Sequence, residues 1–133
     1  MKRNTFIVLL AAVLISSCDL TTLCVQTPTI LTIRTVCLGM IHPNIIMDAL
    51  TQGADGILLC GCHPGNCRSR EGIRKARDRA EAIELMLEDF GLEPERFRLE
   101  SIVASEGKKY AAIVEQMTEE LTALGSSPYK QSP

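Results

Sequence analysis

The sequence predicts an α/β fold, built as a small open, mostly parallel sheet with helices on both faces. Two observations carry that reading. From Thr29 onward, short stretches rich in β-branched residues alternate with longer ones whose apolar residues recur at three- and four-residue steps. Strands separated by helices pair in parallel through right-handed crossovers, which place the helices against the sheet.

The first strand-like stretch, Ile30–Val36, ends at Cys37-Leu38-Gly39. Pro43 suits the first position of a helix, Ile46, Ala49 and Leu50 supply its apolar face, and Gly53 is its expected stop. Gly56-Ile57-Leu58-Leu59 reads as a short buried strand that delivers the chain to Cys60. A long helix is expected from near Ser69, with Ile73, Ala76, Ala80, Ile83, Leu87 and Phe90 on one face. Gly91 and Pro94 end it. Phe97–Val103 forms the next strand. Ser105 is placed to cap a final helix with the stripe Tyr110, Ile113, Val114, Met117, Leu121 and Leu124, closed by Gly125. This is the three-layer arrangement of flavodoxin- and Rossmann-like domains. In such sheets functional groups gather beyond the carboxyl ends of the strands.

The N-terminus supports two readings. Met1-Lys2-Arg3-Asn4 followed by the apolar Phe6–Ile15 resembles a secretory signal, and Leu14-Ile15-Ser16-Ser17-Cys18 resembles a bacterial lipoprotein box. That reading gives a membrane-anchored lipoprotein attached through Cys18. Alternatively, Thr5–Ile15 is the first buried strand of the parallel sheet, and the protein is cytoplasmic. The run is too short for a conventional membrane-spanning helix. The chain therefore divides into a divergent segment at residues 1–28, a domain at 29–125 and a flexible tail at 126–133.

With no tryptophan and 4% aromatic residues, the core has to be aliphatic. A net charge of −2 from 14 basic and 16 acidic residues supplies no field for holding nucleic acid. Paired carboxylates, a nucleophile–base pattern, a P-loop and a G-x-G-x-x-G are all missing, so the chain reads as non-catalytic.

Six cysteines in 133 residues need an explanation. Three crowd into Cys60-Gly61-Cys62-His63-Pro64-Gly65-Asn66-Cys67, a spacing that suits a soft metal or cluster better than disulfides. Cys37 ends one strand, and Cys60 and Cys62 end the next. If those strands are neighbours, the thiols converge. Four thiolates are usual for an iron–sulfur centre, and the glycines let backbone amides approach its sulfurs. The candidate ligands are Cys37, Cys60, Cys62 and Cys67. For Cys60 simple packing is an equal alternative, and Cys24 is a possible fourth ligand. His63 and His42 receive no catalytic role. The basic stretch Arg68, Arg70, Arg74, Lys75, Arg77 and Arg79 reads as a solvated helix face paired with Glu71, Asp78 and Glu81, or as a dock for an acidic partner.

Asp55–Cys67 closely resembles the signature of the methyl-viologen-reducing hydrogenase delta subunit family. Gly91–Glu100 and Ala104-Ser105-Glu106-Gly107 resemble its later blocks, so the likeness spans Ile30 to Leu124. The resemblance implies a [2Fe–2S] protein that relays electrons between a hydrogenase or formate dehydrogenase and a heterodisulfide-reductase-type flavoprotein. By position, Cys37, Cys62 and Cys67 match the family's cysteines, and Cys60 stands where a cysteine is frequent. The family's opening C-x-x-C pair would fall near Val8 and Ala11, which are not cysteines. Arg68 and Ser69 replace a usual His-Tyr, and Ser101 a usual tryptophan. Two other functions compete: a structural zinc site on the same thiols, and a lipid-anchored extracytoplasmic protein without a cluster.

Overall fold

The computed structural model describes the backbone of residues 6–11 and, in full, residues 30–67 and 69–129. It contains the predicted α/β architecture. Strands β1 (Phe6–Ala11), β2 (Ile30–Thr35), β3 (Gly56–Gly61) and β4 (Phe97–Ser101) form one sheet in the order β2-β1-β3-β4. Every pairing is parallel. Helix α1 (Pro43–Thr51) connects β2 to β3, α2 (Gly72–Asp89) connects β3 to β4, and α3 (Gly107–Leu124) follows β4.

The helices divide between the two faces as the side-chain alternation of β3 requires. Ile57 and Leu59 point to the side of α1 and α2, where they pack with Ile46, Leu50, Ile83 and Leu87. Leu58 and Cys60 point the other way, against Ile113, Met117 and Leu121 of α3. All six residues of β3 are buried, which is why this strand reads as a continuous apolar run. Fully buried aliphatic side chains such as Ile46 and Leu50 each contribute about 1.5–3 kcal/mol. On the edge strand β2, Leu31 and Ile33 remain substantially exposed.

Several boundaries differ from the expectation. Phe6–Ala11 forms the inner strand β1, between β2 and β3, so the two strands that carry the cysteines are not neighbours. Helix α2 begins at Gly72 rather than near Ser69, because a turn closed by the Arg70 amide on the Cys67 carbonyl (2.9 Å) comes first. Ser105 does not cap α3; Glu106 holds the N-cap position. Phe90 lies past the end of α2 and is largely exposed, outside the buried stripe. His42 starts α1 as expected, its Nδ1 accepting from the Asn44 amide at 3.3 Å.

The beginning of the expected flexible tail is packed. Ser127 is buried, and its amide donates to Asp55 Oδ1 at 2.8 Å. The Tyr129 hydroxyl donates to the Phe90 carbonyl at 3.0 Å. Beneath this segment lies Arg96, 1% exposed, which pairs with Glu93 at 2.6 Å and donates to the carbonyls of Asp55 and Gly125. A guanidinium can be buried here because protein oxygens satisfy it.

Candidate metal centre

Beyond the carboxyl ends of β1 and β3, two loops meet the start of α2. The strand order reverses at β1, since the chain passes from it to β2 on one side and β3 lies on the other. Open α/β sheets place their sites beside such a reversal. The first loop follows β2. Cys37 precedes a turn of 3-10 helix at Leu38–Met40, and the buried Leu38 carries this loop across to β3. It seats on Gly61, where an added Cβ would lie 2.5 Å from Leu38 Cδ1. Gly39 meets Gly72 backbone to backbone: a Cβ on Gly39 would stand 2.8 Å from Gly72 Cα. Arg79, one face along α2, donates to the carbonyls of Gly39 (2.7 Å) and Ile41 (2.8 Å) and fixes the loop from below. In this way Cys37 reaches its partners although β2 and β3 are separated by β1.

The second loop runs from Cys62 to Cys67. The Asn66 amide donates to the His63 carbonyl at 3.1 Å, closing a turn around Pro64 and Gly65. The His63 ring pairs with Glu106 Oε2 at 2.9 Å, and the same oxygen accepts from the Val103 amide at 2.9 Å. That backbone bond comes first, and His63 second, in holding the Glu106 carboxyl below its usual range.

Three thiols come together here. The Cys37 and Cys67 sulfurs both crowd the open side of Gly72, at 2.6 and 3.3 Å from the place its Cβ would occupy. Ser69 Oγ donates to Cys37 Sγ at 3.6 Å. The Cys62 thiol is pushed up, first by partial burial and then by its neighbours Cys67 and Cys37. At Cys67 burial also acts upward. It is outweighed by hydrogen bonds from the amides of Ile73, Ser69 and Gly72 and from Cys37, which leave the thiol below its ordinary value. Amides at a helix start stabilise negative charge on sulfur. Cys37, Cys60, Cys62 and Cys67 are all free thiols.

Cys60 is not brought into this group. It is 2% exposed in the core beneath α3, and burial followed by Glu100 pushes its thiol up to about 12. Cys18, Cys24 and Arg68 lie outside the described residues, as do the side chains at Val8 and Ala11.

Among the described residues, no three His, Cys, Asp or Glu side chains surround a point where a single metal ion would sit. The Cys67 thiol instead interacts with both Cys62 and Cys37. Each iron of a two-iron cluster takes its own pair of protein ligands, so such a cluster does not require all its thiolates to meet at one point. The donor set, the amides on Cys67 and the room that Gly72 leaves for the Cys37 and Cys67 sulfurs fit a sulfur-ligated cluster.

Residues 13–125 match the family described as methyl-viologen-reducing hydrogenase, delta subunit. The chain belongs to that family. Among curated relatives, it is 42% identical over 103 residues to the D-type iron-sulfur subunit of the F420-non-reducing hydrogenase of Archaeoglobus profundus, covering 77% of this chain and 74% of the relative. The corresponding iron-sulfur subunit of the vhc F420-non-reducing hydrogenase of Methanococcus voltae is 37% identical, with coverage of 79% and 73%. A different kind of relative is the A-type subunit of the ferredoxin/F420H2-dependent CoB-CoM heterodisulfide reductase of Methanosarcina acetivorans. It is 33% identical across 74% of this chain but only 13% of its own length.

In this delta-subunit chain, sequence reasoning missed three residues that shape the site. Arg79 reads in sequence as part of a solvated basic face, yet it spans two carbonyls of the Cys37 loop. Its neighbours Arg74 and Lys75 do pair with Glu71 in solvent, at 3.5 and 3.6 Å. Gly72 carries no signal in an isolated sequence. Glu106 lies inside a family block, and that is its signal, but its tie to His63 spans 43 positions and has no local pattern. No helix among the described residues is long and apolar enough to cross a membrane.

Proposed function

We propose that this chain is a non-catalytic electron-transfer subunit in which Cys37, Cys62 and Cys67 hold an iron–sulfur cluster of the [2Fe–2S] type. The observation that carries the proposal is the meeting of the free Cys37 and Cys67 thiols from two loops at the amide-lined start of α2, with the free Cys62 thiol interacting with both. When bound, such a cluster accepts and releases one electron. The chain's own residues hold it and set its environment. Cys67 keeps its thiolate charge with the help of the α2 amides, an arrangement that raises the potential of a sulfur-ligated centre. Arg79 and Gly72 hold the Cys37 loop close. A two-iron cluster takes four thiolates; of the two further candidates, Cys60 lies in the core beneath α3, and Cys24 is outside the described residues.

Electrons would pass between a hydrogenase, or a formate dehydrogenase in its place, and a heterodisulfide-reductase-type flavoprotein. Support comes from two sets of relatives: hydrogenase iron-sulfur subunits along most of this chain, and a stretch of the larger heterodisulfide reductase protein. The second set supports a role for this domain beside such a protein. Anaerobic purification with iron and acid-labile sulfide quantitation tests the assignment. A brown protein that bleaches on reduction, and a Cys62→Ser variant without iron, are expected. Colourless protein loaded with zinc would overturn the redox role.

A further inference from the structure

We propose that Glu106 is a positioning residue for the metal centre, acting through His63 to hold the Cys62–Cys67 loop against the start of α3. The inference rests on the electron-transfer reading for its consequence, though not for its geometry. Cys62 is gripped on both sides by the segment that joins β4 to α3. Before it, the Gly61 carbonyl accepts from the Ile102 amide at 2.8 Å. After it, the His63 ring meets Glu106 Oε2 at 2.9 Å. The carboxylate is itself anchored, because that oxygen also takes the Val103 amide. Beyond His63 the loop is exposed at Pro64, Gly65 and Asn66, and its internal backbone brace among the described residues is the turn bond from Asn66 to His63. The side-chain tie therefore decides how far the Cys62 end of the loop can swing, and it links the β4–α3 side of the molecule to the thiols.

The test compares full-length wild type with His63→Ala, Glu106→Ala, Glu106→Gln and the double alanine variant. Two quantities are read. One is the rate at which iodoacetamide modifies Cys62 in cluster-free protein, assigned by mass spectrometry. The other is the midpoint potential after cluster reconstitution. Each alanine variant should speed Cys62 modification about three- to tenfold, the population change that follows loss of one ordinary hydrogen bond. Both should shift the potential in the same direction. The double variant should do no more than either single one, since the two residues act as one unit. Glu106→Gln keeps an acceptor oxygen and should stay near wild type. If Glu106→Ala does not fold, the exposed-ring variant His63→Ala and Glu106→Gln decide the matter. Unchanged rates and potentials in His63→Ala, or additive effects in the double variant, overturn the proposal. A wild type that binds no iron yet shows the rate pattern would sink the electron-transfer reading and leave the tie standing. A cluster-bearing wild type whose variants are unaffected would sink the tie alone.

Discussion

Cys37 and Gly72 are in contact because Gly72 has no side chain: a Cβ there would stand 2.6 Å from the Cys37 sulfur. The residues are 35 positions apart in sequence, and the contact joins the loop after β2 to the first turn of α2. It also puts the Cys67 sulfur against the same backbone atom's open side. The start of α2 is thus shaped by the thiols it has to accommodate as much as by its own helical preference.

Gly72→Ala should therefore damage the site more than the fold. Alanine favours the helix by about 1 kcal/mol, but forcing a methyl group into a filled space costs about 1–3 kcal/mol. The expected outcome is a small change in melting temperature with a large loss of bound iron and sulfide. Iron content equal to wild type would show that the Cys37 loop can give way.

Arg79→Leu removes the donor that serves the carbonyls of Gly39 and Ile41. Losing a charged hydrogen-bond donor to the backbone should cost about 1.5–3 kcal/mol, measurable by urea denaturation of cluster-free protein. Arg79→Lys should recover only part of that loss, because both bonds come from the terminal Nη1 and the lysine side chain, one bond shorter, carries its ammonium less far toward the two carbonyls. Equal stability of all three proteins would place the loop's support elsewhere.

Acid should weaken the fold partly through Glu93. The Arg96 guanidinium hydrogen-bonded to it, helped by its own backbone amide, holds the Glu93 carboxyl below its usual range. A carboxyl depressed in the folded state stabilises above its unfolded pKa, about 4.3, and this contribution disappears as pH falls through the folded value. Since Glu93 is partly exposed, the contribution should stay below about 1 kcal/mol. The stability gap between wild type and Glu93→Gln should be constant above about pH 5 and close under more acid conditions. A gap that widens on acidification would refute this sign.

The sequence disclosed the sheet and helices because β3, α2 and α3 bury one consistent pattern of apolar residues, and periodicity reports burial directly. It disclosed Cys62 and Cys67 because they share one short loop. It did not disclose the strand order. The apolar stretch at Phe6–Ala11 fits a targeting signal and an inner strand equally well, and pairing with Ile30–Thr35 and Gly56–Cys60 is a long-range property. Arg79 escaped for a related reason. On a helix face its charge looks like that of Arg74 or Lys75, and its two acceptors come from a loop about 40 residues earlier in the chain.

Cys60 is the hardest position to judge from sequence, where it stands two residues from Cys62, and its strand supplies the physical answer. Side chains alternate along β3, so Cys60 shares the face of Leu58 and packs beneath Ile113, Met117 and Leu121. Its thiol, pushed up to about 12, stays protonated in neutral solution. Cys67, held below its ordinary value by amides, supplies thiolate more readily. In folded, cluster-free protein at about pH 8, iodoacetamide should modify Cys67 before Cys62, and should reach Cys60 only after denaturation. Cys60→Ala should then keep its iron and lose about 1 kcal/mol of stability through the small cavity left behind. If that variant folds normally and still loses iron as completely as Cys62→Ser, Cys60 is a ligand, and β3 must twist at its end to present it.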